Sequence, residues 1–174
     1  PRPVATAGGG GVSVTDTSGG NWSWGLPANF PTPRVPTDNP MNAAKVELGR
    51  FLFYEKRLSG NGTQACASCH LQEKAFTDGR AQAIGSTGDV HPRNAQGLAN
   101  AAYHATLTWA NPSLLSLEAQ AQVPLFGERP VEMGINDGNV NEVLDRVKTD
   151  ADYPARFAAA FPGEALSLIH ISEP

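Results

Sequence analysis

The stretch QACASCHLQEKAFTDGR, residues 64–80, holds both cysteines of the chain and one of its four histidines, gathered as Cys66-Ala67-Ser68-Cys69-His70. Three kinds of chemistry use such a cluster. A redox disulfide of the thioredoxin kind sits at the end of a strand in a βαβ pattern, and no such pattern surrounds these residues. A zinc site needs four ligands, and there is no second Cys-x-x-Cys or His-x-His, since His91, His104 and His170 are scattered. The remaining reading is covalent attachment of c-type haem. Two thiols about one helical turn apart can add to the two vinyl groups along one porphyrin edge, while the adjacent His70 swings under the iron as proximal ligand. Maturation of that kind takes place where thiols are delivered reduced outside the cytoplasm, which places the protein in a bacterial periplasm.

Outward from the cluster, the composition sets limits. A chain of 174 residues is long enough for one domain with a real core. Its 14 prolines and 18 glycines, with little strand-like alternation, predict a mainly α protein whose modest helices are joined by long ordered loops. A net charge of −4 with no basic stripe argues against nucleic acid as a partner. No run of eighteen apolar residues is present, so no membrane span is expected.

Residues 1–38 read as a flexible, then proline-stiffened arm, with Trp22, Trp24 and Phe30 as anchors onto a core. The glycine run within it lacks the flanking strand and helix of a phosphate loop. A haem domain is expected over residues 39–168. Asn39-Pro40 is read as the cap of its first helix, whose Ala44, Leu48, Phe51 and Leu52 share a face. QGLANAAYH reads as a short apolar helix, and Ser116 caps another through LEAQAQV that Pro124 should end. Val140, Val143, Leu144 and Val147 mark a fourth, and DYPARFAAAF a last one.

A haem alone does not decide function. A methionine as sixth ligand makes an electron carrier, and Met133 lies far enough along the chain to serve; an open iron admits peroxide. The segments KVELGRFLFYEKRLSGNGTQACASCH, HPRNAQGLANAAYH and TWANPSLLSLEAQAQVPLFGERPVEMG bear on that choice. In their order and wording they resemble the bacterial di-haem cytochrome c peroxidase and MauG superfamily. TWANPS and PLFGERPVEMG look closest to the MbnH-like branch, whose founding member oxidises a tryptophan of a partner copper-binding protein to kynurenine.

The resemblance implies a cytochrome-c-like domain in which Cys66 and Cys69 hold the peroxidatic haem c and His70 is its proximal ligand. Gln120, Pro124 and Glu132 match residues lining the distal side, with Glu132 moving protons during cleavage of hydrogen peroxide. Trp109 matches the tryptophan between two haems; read without the family it is a core aromatic. Asn94, otherwise a turn residue after Pro92, matches a ligand of a calcium ion between the haem domains. Where reductively activated peroxidases carry a distal histidine, this chain has Ser86, a poor iron ligand, so the iron is expected to stay open; the nearby His91 is the weaker candidate for that role. A second haem c with its own Cys-x-x-Cys-His belongs to the family but not to this sequence, and residues 169–174 depart from the family pattern. The expected function is peroxide-dependent oxidation of a donor or substrate protein by long-range electron transfer. The rival is a mono-haem carrier with His70 and Met133 as axial ligands.

Overall fold

The computed structural model describes residues 22–109 and 111–167. The glycine-rich tail and residues 169–174 lie outside them. Among the described residues there are helices, 3-10 turns and isolated bridges, and no sheet. The helices are α1 (Ala43–Tyr54), α2 (Cys66–Cys69), α3 (Leu117–Phe126), α4 (Val140–Lys148) and α5 (Tyr153–Ala160).

α1 starts three residues later than Asn39-Pro40 indicated, because Asn42 is the residue whose side chain accepts the Lys45 N–H, at 2.8 Å. Asn39 instead takes the Lys45 ammonium at 2.6 Å. Leu48 and Leu52 face inward as expected, whereas Phe51 is at the surface beneath the guanidinium of Arg156, 3.6 Å from its ring centre. The expected QGLANAAYH helix is only the 3-10 turn Ala101–Tyr103.

α3 departs from the sequence reading in a second way, since Pro124 lies inside it rather than ending it. Proline removes one helical hydrogen bond, the one to the Gln120 carbonyl. The last turn survives because neighbouring chain holds it: Met133 N–H donates to Pro124 O at 2.9 Å and Ile135 N–H to Leu125 O at 3.0 Å.

The core joins α1, α3, α4 and α5 through Leu48, Leu52, Leu125, Val143, Val147 and Phe157, with Met133 and Ile135 from the segment after α3. The arm docks on the surface: Phe30 stacks edge-on against Tyr103, the Tyr103 hydroxyl donates to Pro31 O at 2.9 Å, and Arg34 donates to His104 O at 2.8 Å. Trp22 and Trp24 pack edge to face.

The loop that delivers the chain from α1 to the cysteines is clamped by α4. Arg146 donates to the carbonyls of Ser59 at 2.9 Å and Gly60 at 3.0 Å, and reaches that of Arg57 at 3.3 Å. Gly60 in turn lies so close to the Gly134 carbonyl that any Cβ would collide with it. Arg146→Ala leaves those carbonyls without their charged donor, and each such bond contributes about 1.5–3 kcal/mol. A net loss of about 2–3 kcal/mol in urea unfolding is expected, which a wild-type midpoint would contradict.

Candidate functional site

α2 is a single turn, which puts Cys66 and Cys69 one turn apart with both thiols free. Its start is tied by Ser68, whose hydroxyl accepts the Ala65 N–H at 3.0 Å. Gln64 braces the second thiol, its amide donating to Cys69 Sγ at 3.0 Å and to Ile84 O at 3.0 Å. Cys69, Gln64, Asp78, Arg80 and Ile84 line a cavity of about 250 Å³ beside the turn. Asp78 is buried there; its Oδ1 accepts the Arg80 N–H at 3.0 Å, while Oδ2 is buried with no protein partner.

Burial pushes the Cys66 thiol up to about 11, and the negative charge of Glu132 adds to that. Burial likewise raises Cys69, partly offset by the Gln64 hydrogen bond. Zinc binding and disulfide exchange both use thiolates, and redox Cys-x-x-Cys pairs hold theirs at lowered pKa. Thioether formation draws on the same thiolate, so the raised values do not choose among the three readings; the geometry around His70 does.

His70 follows directly. Its Nδ1 lies 2.8 Å from the carbonyl of Phe76. A carbonyl only accepts, so the imidazole proton sits on Nδ1 and the Nε2 lone pair is left for a metal ion. Phe76 can present its carbonyl because Ala75 and Phe76 both adopt left-handed backbone, φ 54° and 62°, turning the chain back; Leu71 and Thr77 then bridge across it. Phe53 of α1 packs near both the His70 ring and the Phe76 ring, with centroids 6.4 and 6.3 Å away. Free thiols one turn apart, a histidine with a fixed tautomer and an adjoining cavity together fit covalent haem.

Glu132 joins this group. It stands just after α3, with its carbonyl accepting the Ser86 N–H at 2.7 Å. Burial raises its carboxyl above the ordinary carboxylate value, while charge on His91 and then His70 pulls the other way. Gln120 and Pro124 lie one turn apart on α3, and the Pro124 carbonyl binds the residue after Glu132. His91 is turned to the backbone, its Nε2 3.4 Å from Val131 O. Met133 is 3 % exposed, within the core cluster.

Trp109 is not core. It is 52 % exposed; its indole N–H donates to Asn94 O at 3.3 Å and Arg93 stands 5.8 Å from its ring. Trp109 and Asn94 thus share one surface site. Among the described residues, no three His, Cys, Asp or Glu side chains gather as a metal site, and no helix is long and apolar enough to cross a membrane. Phe53, Asp78 and Arg80 were not singled out by sequence, since the fold brings them to segment 66–70; Gln64, two residues before Cys66, carries no local sign of its bond to Cys69.

Comparison with known proteins places the chain in a family. The family model described as di-haem cytochrome c peroxidase matches residues 43–173. A cytochrome-c peroxidase of Denitromonas iodatirespirans is 44 % identical over 132 residues, covering 76 % of this chain and 34 % of that protein. The methylamine utilization protein MauG of Methylorubrum extorquens is 32 % identical over 164 residues, covering 92 % of this chain and 44 % of that protein. A crystal structure of a MauG-like protein associated with microbial copper homeostasis superposes with a TM-score of 0.83 at 55 % identity, covering 87 % of this chain and 45 % of that one. The chain thus spans less than half the length of each of these relatives.

Proposed function

Because the chain belongs to the di-haem cytochrome c peroxidase family, we propose that it forms the peroxide-activating haem domain of a di-haem oxidoreductase. Cys66 and Cys69 hold the haem c and His70 ligates its iron. When bound, that haem supplies the iron at which hydrogen peroxide is cleaved. The chain's own contribution is positional and protonic. Phe76 O orients the imidazole. Glu132, in its buried setting, takes a proton from the inner peroxide oxygen and returns one to the leaving oxygen. Gln120 and Pro124 of α3 line the same side, excluding water and orienting the peroxide. Ser86 stands in the sequence where activated relatives carry a histidine and offers only a hydroxyl, a poor iron ligand, so a haem bound here would keep a position for peroxide.

Trp109, exposed and hydrogen-bonded to Asn94, is the outlet through which oxidising equivalents pass to a second haem domain, with Asn94 contributing to a calcium ion between the two. The final electron donor is a protein side chain, a tryptophan of a copper-binding partner. The 55 % identity with the MauG-like protein associated with copper homeostasis supports that choice. The setting is the periplasm.

The observation that carries the reading is the His70 Nδ1 to Phe76 O contact of 2.8 Å beside two free thiols. Met133 is buried within the core cluster, and the haem spectrum separates this reading from the electron-carrier alternative with Met133 as sixth ligand. The expected ferric spectrum of the haem-loaded full-length protein includes a high-spin component that changes on adding peroxide. A wholly low-spin spectrum with a methionine-sulfur charge-transfer band, lost in Met133→Ala, would overturn the proposal.

A further inference from the structure

Glu132 sits on a loop, so no helical backbone fixes where its carboxylate stands. Resting on the role proposed for Glu132, we propose that Asp89 is a positioning residue that holds the Val131-Glu132 peptides in place. Asp89 Oδ2 accepts the Val131 N–H at 3.0 Å, while the Thr87 hydroxyl, 3.1 Å from Oδ1, steadies the other oxygen. Two peptides further on, Ser86 N–H donates to Glu132 O at 2.7 Å. Between these two ties Gly85 lies flush against the Val131 carbonyl, with no room for a Cβ.

The gripping loop is itself braced. Gly85 N–H donates to Asp89 O at 2.9 Å, and Ile84 and Val90 bridge across it. Asn61, on the loop leading to the cysteines, donates to Ser86 O at 2.7 Å. Loop 84–91 therefore connects the segment before Cys66 to the segment bearing Glu132. Two of its grips on that segment are backbone contacts; of its two side-chain ties, Asp89 at 3.0 Å and the longer His91 Nε2 to Val131 O contact at 3.4 Å, Asp89 is the shorter. Asp89 is exposed and bonds to backbone, so it acts through Glu132 rather than on the reacting atoms.

The test is steady-state peroxide turnover of the haem-loaded full-length protein carrying Asp89→Ala, Asp89→Asn, Asp89→Glu or Glu132→Gln, with thermal unfolding and the ferric spectrum followed for each. Misplacement of a reacting group by about 1 Å can cost up to about 100-fold, so Asp89→Ala is expected to lose about tenfold or more in kcat at unchanged donor KM. Asp89→Asn, whose amide oxygen can accept the same N–H, recovers most of that loss. Asp89→Glu keeps the charge but moves the acceptor by one methylene; it should lose turnover with its unfolding midpoint unchanged, and it replaces the alanine variant if that one does not fold. Wild-type turnover in the alanine and glutamate variants, or an asparagine variant as impaired as alanine, overturns the positioning role. Wild-type turnover in Glu132→Gln overturns instead the reading on which it rests.

Discussion

Glu132→Gln is expected to lower peroxide turnover by about 10²–10⁴-fold, the usual contribution of a positioned proton-transfer group, while covalent haem content stays at the wild-type level. Glutamine keeps the shape and the backbone contact to Ser86 but cannot take a proton. The pH dependence sharpens the test. Burial lifts the Glu132 carboxyl above its ordinary value, more than His91 and His70 lower it. A group that must be ionised to accept a proton fails as pH falls through its pKa. The acid limb of the wild-type kcat/KM profile should therefore lie above the ordinary carboxylate range and disappear from the residual activity of the glutamine variant. An unchanged acid limb in that variant would assign the proton transfer to another group.

The second large effect concerns attachment. Cys66→Ala with Cys69→Ala should release the haem of this domain into acid acetone, leaving only haem held by a second Cys-x-x-Cys-His in the full-length protein, whereas the wild type keeps both and each single variant keeps this one through one thioether. Both thiols are free and one turn apart, and both are held largely as thiols by burial. Because the thiolate is the reactive form, attachment should also be slow when reduced chain and free haem are simply mixed at neutral pH. An extraction-resistant haem count in the double variant equal to the wild type would rule out these cysteines as the anchors.

The cysteine cluster was legible in the sequence because its chemistry demands contiguity: two thiols must reach one ring edge within a single turn while the next residue reaches the iron beneath the ring. α4 was legible for a related reason, its buried Val143, Leu144 and Val147 following the helical period. α3 was misjudged at its end because the local rule for proline was outweighed by hydrogen bonds from Met133 and Ile135, which lie beyond any local window. Trp109 was misjudged as core when read from the sequence alone, since an aromatic in an apolar stretch gives no sign that it will stand half-exposed beside Asn94. Glu132, Gln120 and Pro124 were nominated by family resemblance rather than by spacing. Asp89 and Phe53 could not be nominated locally at all. Their relevance arises only when loop 84–91 meets segment 131–132 and when α1 meets the His70 ring.

The turn at Ala75-Phe76 has a consequence for the electronic character of the site. The partner of the His70 imidazole is a peptide oxygen and not a carboxylate. A neutral acceptor leaves the imidazole a moderate electron donor, without the anionic character that a carboxylate would confer. No side-chain substitution can delete that oxygen; it can only be re-aimed. The donor strength of His70 is therefore written in backbone torsions, held by two residues in a conformation that ordinarily costs about 1–2 kcal/mol each. Ala75→Gly would relieve the strain at its own position while keeping the turn, so the orientation of an iron-bound His70 would be preserved and the fold gain stability.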